Sequence, residues 1–327
     1  MNTETRCAAT IRTIAAGMIA AVAGIGAMTP TAYAQPFAYV PNEKAGAISI
    51  IDPASDKVVG RIVTGGFPRG IAASPDGKIL FVSEQESGQL LFIDTAKRVI
   101  TDRVAVGESP EGVYASADGR LVAVAVEKKN AVVFVEVAAK RIQFEVKTKG
   151  DNPEHPVFSP DGKWVYVGAE EDEQLDVIDV AARAQVAQVK IGKRPRGTGF
   201  SPDGRFAFVA CEQADMLFKL EVGTHKVVAS VKAGQRSNGV IVSPDGTTVY
   251  VSNGRDGTVS FFDAQTLKET KTVKVGERPW NMALTADGRK LYAANGRSNS
   301  VSVIDTRAGV KLTDIAVEAL PWGVVIR

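Results

Sequence analysis

Cysteine is nearly absent from this chain of 327 residues: Cys7 and Cys211 are the only two. Cys7 precedes an apolar run near the start, so one thiol is left in the body of the chain and no internal disulfide can brace it. Histidine is as scarce, with His155 and His225 alone. Two imidazoles and one thiol scattered over the chain cannot build a typical zinc site, which wants three or four such ligands together. No C-x-x-C-H run exists to attach haem covalently. Aromatic residues make up 7% of the chain, so a core must rest on Val, Ile, Ala and Leu. Neither charge sign dominates: 39 basic residues face 37 acidic ones. That balance argues against nucleic acid or an anionic membrane as the main partner. The chain has no P-loop and, beyond residue 34, no dinucleotide fingerprint. No stretch keeps helical spacing over a useful length.

The apolar run is short as well. Ile14 to Met28 carries no charge but spans 15 residues, where a membrane-crossing helix needs about 20. Arg6 and Arg12 precede it and Ala32-Tyr33-Ala34 follows. A basic start, a short apolar segment and a small-x-small end describe an export signal. The expectation is a signal over residues 1–34 and a secreted or periplasmic mature chain over 35–327, with no membrane span after cleavage. Cys7 lies ahead of the apolar run, so it is not a lipidation cysteine.

What the chain does contain is repetition. Val240-Ile241-Val242 and Thr247 to Val251 are β-branched runs joined by Ser243-Pro244-Asp245-Gly246. Pro presets φ, Asp bonds the local backbone and Gly supplies positive φ, which is turn chemistry. Equivalent turns start at Ser74, Ser116, Ser159, Ser201, Ser243 and Thr285, spaced 42, 43, 42, 42 and 42 residues apart. A fixed period of this length marks a repeat architecture. The single extra residue falls between Glu136 and Gly150, placed at the outer edge of its unit.

Each period holds four strand-like runs. In the unit from Ile71, Ile71–Ala73, Ile79–Val82 and Leu90–Ile93 are nearly all apolar, whereas Val99 to Val106 alternates. Continuous apolar runs suit strands buried on both faces, and alternation suits an outer strand with one face in water. An acidic residue stops each third strand, from Asp52 to Asp305, and reads as a turn cap. Seven Pro-type links but only six turns are present. The chain starts with second, third and fourth strands near Ala38–Val40, Ile48–Ile51 and Val58–Val63, and ends with a first strand, Val324–Ile326. The two fragments complete one unit. The expected fold is all-β: a seven-bladed β-propeller of four-stranded antiparallel blades, closed by pairing of the N- and C-terminal strands.

Tyr250-Val251-Ser252-Asn253, with looser copies at Tyr292–Asn295 and Tyr39–Asn42, the G-x-x-P-x-G links and the S-P-D-G turns resemble the YVTN repeat of a β-propeller family. The resemblance covers nearly all of residues 38–327. Two blades drift from it: Val122–Val126 has no Tyr or Asn, and Ser237 replaces the link Pro. Seven such repeats behind an export signal are most similar to the propellers associated with pyrroloquinoline-quinone-dependent catabolism. The resemblance implies an accessory role beside periplasmic alcohol oxidation and its transport system. A quinoprotein dehydrogenase or transport component is the implied partner, and the quinone is the partner's cofactor rather than this chain's.

The links lead into the innermost strands and so should ring one mouth of the central channel. After the Pro position they carry Arg69, Glu111, Glu154, Arg196, Asn238, Trp280 and Trp322; His155 and Asn281 stand where the other five have Gly. Packing asks for the same residue in every blade, so divergence here marks a binding surface for a small molecule or partner. Arg69 follows Trp322 in ring order, which suggests two indoles with a neighbouring guanidinium. The structural alternative is that the indoles plug the mouth and the charges neutralise one another in water. For His155 the alternative is a satisfied core histidine. His225 is read as solvated, Cys211 as a buried small residue, and Glu170-Glu171-Asp172-Glu173 as a solvated acidic run without the ligand spacing of a calcium loop. No metal site or catalytic set is assigned. The leading expectation is a non-catalytic binding propeller. One alternative is a lactonase-like hydrolase in which Arg69, Arg196, Glu111, Glu154 and His155 polarise and attack an ester. Another is a surface scaffold.

Overall fold

The computed structural model describes residues 36–327; the expected export signal lies outside them. Seven four-stranded antiparallel sheets form the blades. Blade 1 joins Ala38–Asn42, Ala47–Asp52 and Lys57–Val63 to the terminal strand Val325–Ile326. Blades 2 to 7 then follow in order, with innermost strands at Pro68–Ala73, Pro110–Ala115, Val157–Phe158, Pro195–Phe200, Ser237–Val242 and Pro279–Leu284. Ala38 pairs with Ile326 and Tyr39 with Val325, and Asn42 bridges to Pro321. The expected closure is therefore present, with a two-residue ladder in place of Val324–Ile326. Among the described residues no helix is long and apolar enough to cross a membrane.

The core lies between blades. Phe81, Leu90 and Phe92 of blade 2 pack with Val122, Val124, Val133 and Val135 of blade 3. Across the closure, Tyr292, Val301 and Val303 of blade 7 pack with Ala38, Val40, Ile51 and Ile326 of blade 1. Each sheet has two apolar faces that only neighbours can cover, which is why the blades stack into a ring. Outer strands such as Val99–Ala105 alternate between exposed and partly covered positions, with Val104 alone buried, as the alternating sequence requires.

The repeated residues hold this frame. In the first full turn Ser74 Oγ donates to Asp76 Oδ1 at 2.7 Å, and the Ile79 N–H donates back to Ser74 Oγ at 3.0 Å. Gly77 takes a φ of 70° there. In the Tyr-Val-Ser-Asn stretch, Asn253 accepts from the Gly234 N–H of its own link. Ser252 accepts from the Gly239 N–H and donates to the Trp280 carbonyl of the next blade at 2.5 Å. The tyrosines reach forward too: the Tyr292 hydroxyl donates to Asp56 of blade 1. Tyr166 bonds His225 Nδ1 of blade 5 at 2.6 Å. His225 is thus half-buried in an inter-blade contact with Trp164 and Tyr166, not solvated as its loop position suggested.

The extra residue of the 43-residue period also sits differently. The outer strand Arg141–Lys147 keeps seven residues, like Val99–Ala105. The addition enlarges the link after it, where the Gly150 N–H donates to buried Asp176 and the Lys149 N–H to Gln185. Asp176 takes over the role that Asn253 plays two blades on, since blade 4 has Ala169 at the Asn position.

Candidate ligand-binding mouth of the channel

All nine link residues singled out in the sequence line one cavity of about 400 Å³ at the link side of the channel. They are Arg69, Glu111, Glu154, His155, Arg196, Asn238, Trp280, Asn281 and Trp322. Arg69, Glu111, Arg196, Asn238, Trp280 and Asn281 stand at the start of their innermost strands, whereas Glu154, His155 and Trp322 sit in the links just before theirs. Arg69, Glu111, Glu154 and Arg196 occupy the same position in four consecutive blades. The charges pair outward: Arg69 with Glu111, and Arg196 with Glu154. The two glutamates are left side by side, both almost fully buried.

The loop after each second strand supplies residues that the link pattern did not reveal. Glu43 pairs with Arg69 at 3.2 Å. Gln85 donates to Glu111, and Glu127 accepts from Ser109 at 2.7 Å. Glu170 pairs with Arg194 and, at 3.1 Å, with Arg196. Glu212 collects Arg196 at 3.1 Å and Arg278 at 2.7 Å. Glu170 is thus buried at 5% exposure and leaves the solvated acidic run to which its neighbours belong. A signal for these residues exists: the position after the second strand reads Glu43, Gln85, Glu127, Glu170, Glu212, Gly254, Gly296. It is acidic or amide until the two glycines.

Burial sets the protonation. Glu154 is pushed up to about 7, chiefly by desolvation, with Arg196 opposing. Glu111 is raised well above the usual carboxylate range by desolvation and by Glu154 beside it. His155 is lowered to about 3 by burial and by Arg196 and Arg69, so its imidazole is neutral. Nor is it satisfied as a core histidine would be: Nδ1 has no partner, and Nε2 stands 3.9 Å from Glu154. The free Oε2 atoms of Glu111 and Glu154 are likewise buried without partners.

The aromatic side differs from expectation. Arg69 gives its guanidinium to Glu43 and Glu111; the cation beside Trp280 is Arg278, 6.0 Å from the ring. Trp322 crosses the axis to His155, with ring centroids 5.3 Å apart. Trp322 and Asn281 line both the polar mouth and a second cavity of about 380 Å³ bounded by the innermost strands. Trp322 is thus buried against His155, while Trp280 stays half-exposed. The charges neutralise one another within the wall rather than in water. Cys211 lies fully buried in the strand wall, and burial pushes its thiol up to about 12.

Fold and mouth define a seven-bladed propeller with a charged, buried-carboxylate vestibule. Two family models match parts of the chain. One, described as lactonase, 7-bladed beta-propeller, matches residues 180–318; the other, described as cytochrome D1 heme domain, matches residues 117–211. No curated protein matches. Among solved structures, Kuenenia stuttgartiensis hydrazine synthase is similar at 21% identity, with 78% of this chain and 88% of that chain covered and a TM-score of 0.72. A functionally unknown protein from Desulfotomaculum acetoxidans DSM 771 is similar at 19% identity, covering 89% and 98% with a TM-score of 0.80. These likenesses establish the propeller. A haem does not fit the mouth. His155 is its one imidazole, and that ring is buried with Nε2 facing Glu154 at 3.9 Å. Glu111, Glu127, Glu154 and Glu170 line the wall where haem carboxylates would need free cations.

Proposed function

We propose that this protein is an exported, non-catalytic binding propeller serving a quinone-dependent alcohol oxidation system, and that its ligand is a small polar molecule held in the link-side mouth. One observation carries the reading: the side chains that differ between otherwise matching blades converge on one cavity with unpartnered buried acceptors. Glu111 and Glu154 would accept hydroxyl or amino donors, and Trp280 offers an open ring face for the carbon skeleton. An alcohol or polyol has both features. The motif resemblance supports the accessory role and the quinoprotein partner.

Isothermal titration with short alcohols, polyols, the quinone cofactor and a quinoprotein dehydrogenase tests this. Saturable binding that weakens at least ten-fold in Trp280→Ala is expected. Absence of binding, with turnover of a substrate instead, would reject it. The second reading is a lactone hydrolase, favoured by the partial lactonase match and by Glu154, a carboxyl near 7 beside a guanidinium. Under that reading lactone hydrolysis is measurable and Glu154→Gln abolishes it.

A further inference from the structure

Three carboxylates of the mouth, Glu111, Glu127 and Glu154, each place an oxygen within 4.8 Å of the others. Each also has an anchored oxygen. Glu111 Oε1 accepts from Arg69 and Gln85, Glu154 Oε1 from Arg196, and Glu127 Oε2 from Ser109. The opposite oxygens of Glu111 and Glu154 are the buried, partnerless ones, on residues 1% and 2% exposed. Orphaned carboxylate oxygens in such a place are costly unless something occupies them. Hydrogen-bonded partners behind a carboxylate are the usual support of a metal ligand.

We propose that Glu111, Glu127 and Glu154 hold a divalent cation, and that the ion is calcium. An all-oxygen carboxylate set suits a hard cation. Two oxygens bound to one calcium can stand up to about 5 Å apart, against about 4 Å for magnesium. The spacing here therefore takes calcium without closing. The nearby guanidiniums do not depend on the three: Arg69 keeps Glu43, and Arg196 keeps Glu170 and Glu212. The three carboxylates also line the mouth cavity, from which water can fill the remaining coordination positions. The trio spans two blades and two kinds of loop, so no contiguous motif announces it.

The site shares the mouth with the organic ligand proposed above but does not depend on it. The test is calorimetric titration of the chelator-treated protein with calcium chloride alone, and separately with magnesium and manganese chloride. One equivalent of calcium is expected to bind, more tightly than magnesium. Affinity falls at least ten-fold in Glu154→Gln and in Glu127→Gln, whose side chain is less buried and whose fold circular dichroism checks. Glu171→Gln, on the exposed part of the acidic loop, keeps wild-type affinity. No saturable uptake, tighter binding of magnesium, or full affinity in a folded Glu127→Gln overturns the proposal. The organic-ligand reading is then judged on its own titration, run with chelator present.

Discussion

Arg69, Glu111, Glu154 and Arg196 show how one repeat position becomes a charged site. Equivalent repeat positions place four side chains in a row, and the order Arg-Glu-Glu-Arg makes the end pairs attractive and the central pair repulsive. Burial magnifies both effects. Folding therefore keeps a proton on Glu154 that the unfolded chain releases near its ordinary value of 4.5, while the folded value is about 7. The stability from that proton is complete below pH 4.5 and lost as pH rises through 7. His155 works in the opposite sense, with a folded value of about 3 against 6.5. Its contribution is complete above pH 6.5 and lost as pH falls toward 3. Urea midpoints measured across pH in chelator should show a flatter decline from pH 4.5 to 7 in Glu154→Gln. They should show a flatter decline from pH 6.5 to 3 in His155→Gln. An unaltered slope in either variant removes that group from the account.

At the scale of the strand and link, the YVTN-like motif is glue. Its Tyr reaches the next blade, its Ser ties a strand amide to the next link, and its Asn ties down its own link. This explains why such residues specify a fold and leave activity open. The glycine after the link position belongs to the same device. A methyl at Gly197 would collide with the Asn238 carbonyl and crowd the Val240 amide nitrogen. Gly197→Ala should cost about 1–3 kcal/mol by overpacking, read as a shift in the urea midpoint at constant slope. Blades 4 and 7 put His155 and Asn281 at that position. In blade 4 the innermost strand starts late, at Val157, with the Val157 N–H bonded to the His155 carbonyl. That irregularity makes room for a ring where five other blades have only a glycine hydrogen.

At the scale of the whole molecule, stability rests on the ring being closed. Among the described residues no disulfide holds it: Cys211 is a free, buried thiol. Backbone bonds between Phe37 and Arg327, at 2.8 and 3.0 Å, extend the terminal ladder, and Val324 and Ile326 are buried in the seam. Deleting residues 323–327 removes those two apolar side chains from the core, about 3–6 kcal/mol of burial, and opens a sheet edge. The truncated protein should melt several degrees below the full chain by calorimetry, further than any single surface substitution moves it. An equal melting temperature would mean that the seam contributes nothing.

Period, strand count, closure and the diversified link position were all legible in the chain, because each is a local pattern repeated at fixed spacing. Backbone geometry copies such a pattern faithfully from blade to blade. Partner choice was not legible. Arg69 turns to Glu43 and Glu111 rather than to an indole, Trp322 meets His155 across the axis, and Glu170 folds inward while Glu171 faces water. Those outcomes depend on distances between residues tens or hundreds of positions apart, and on which charges lose their water. Only the closed ring sets both, by bringing links and loops of different blades onto one cavity.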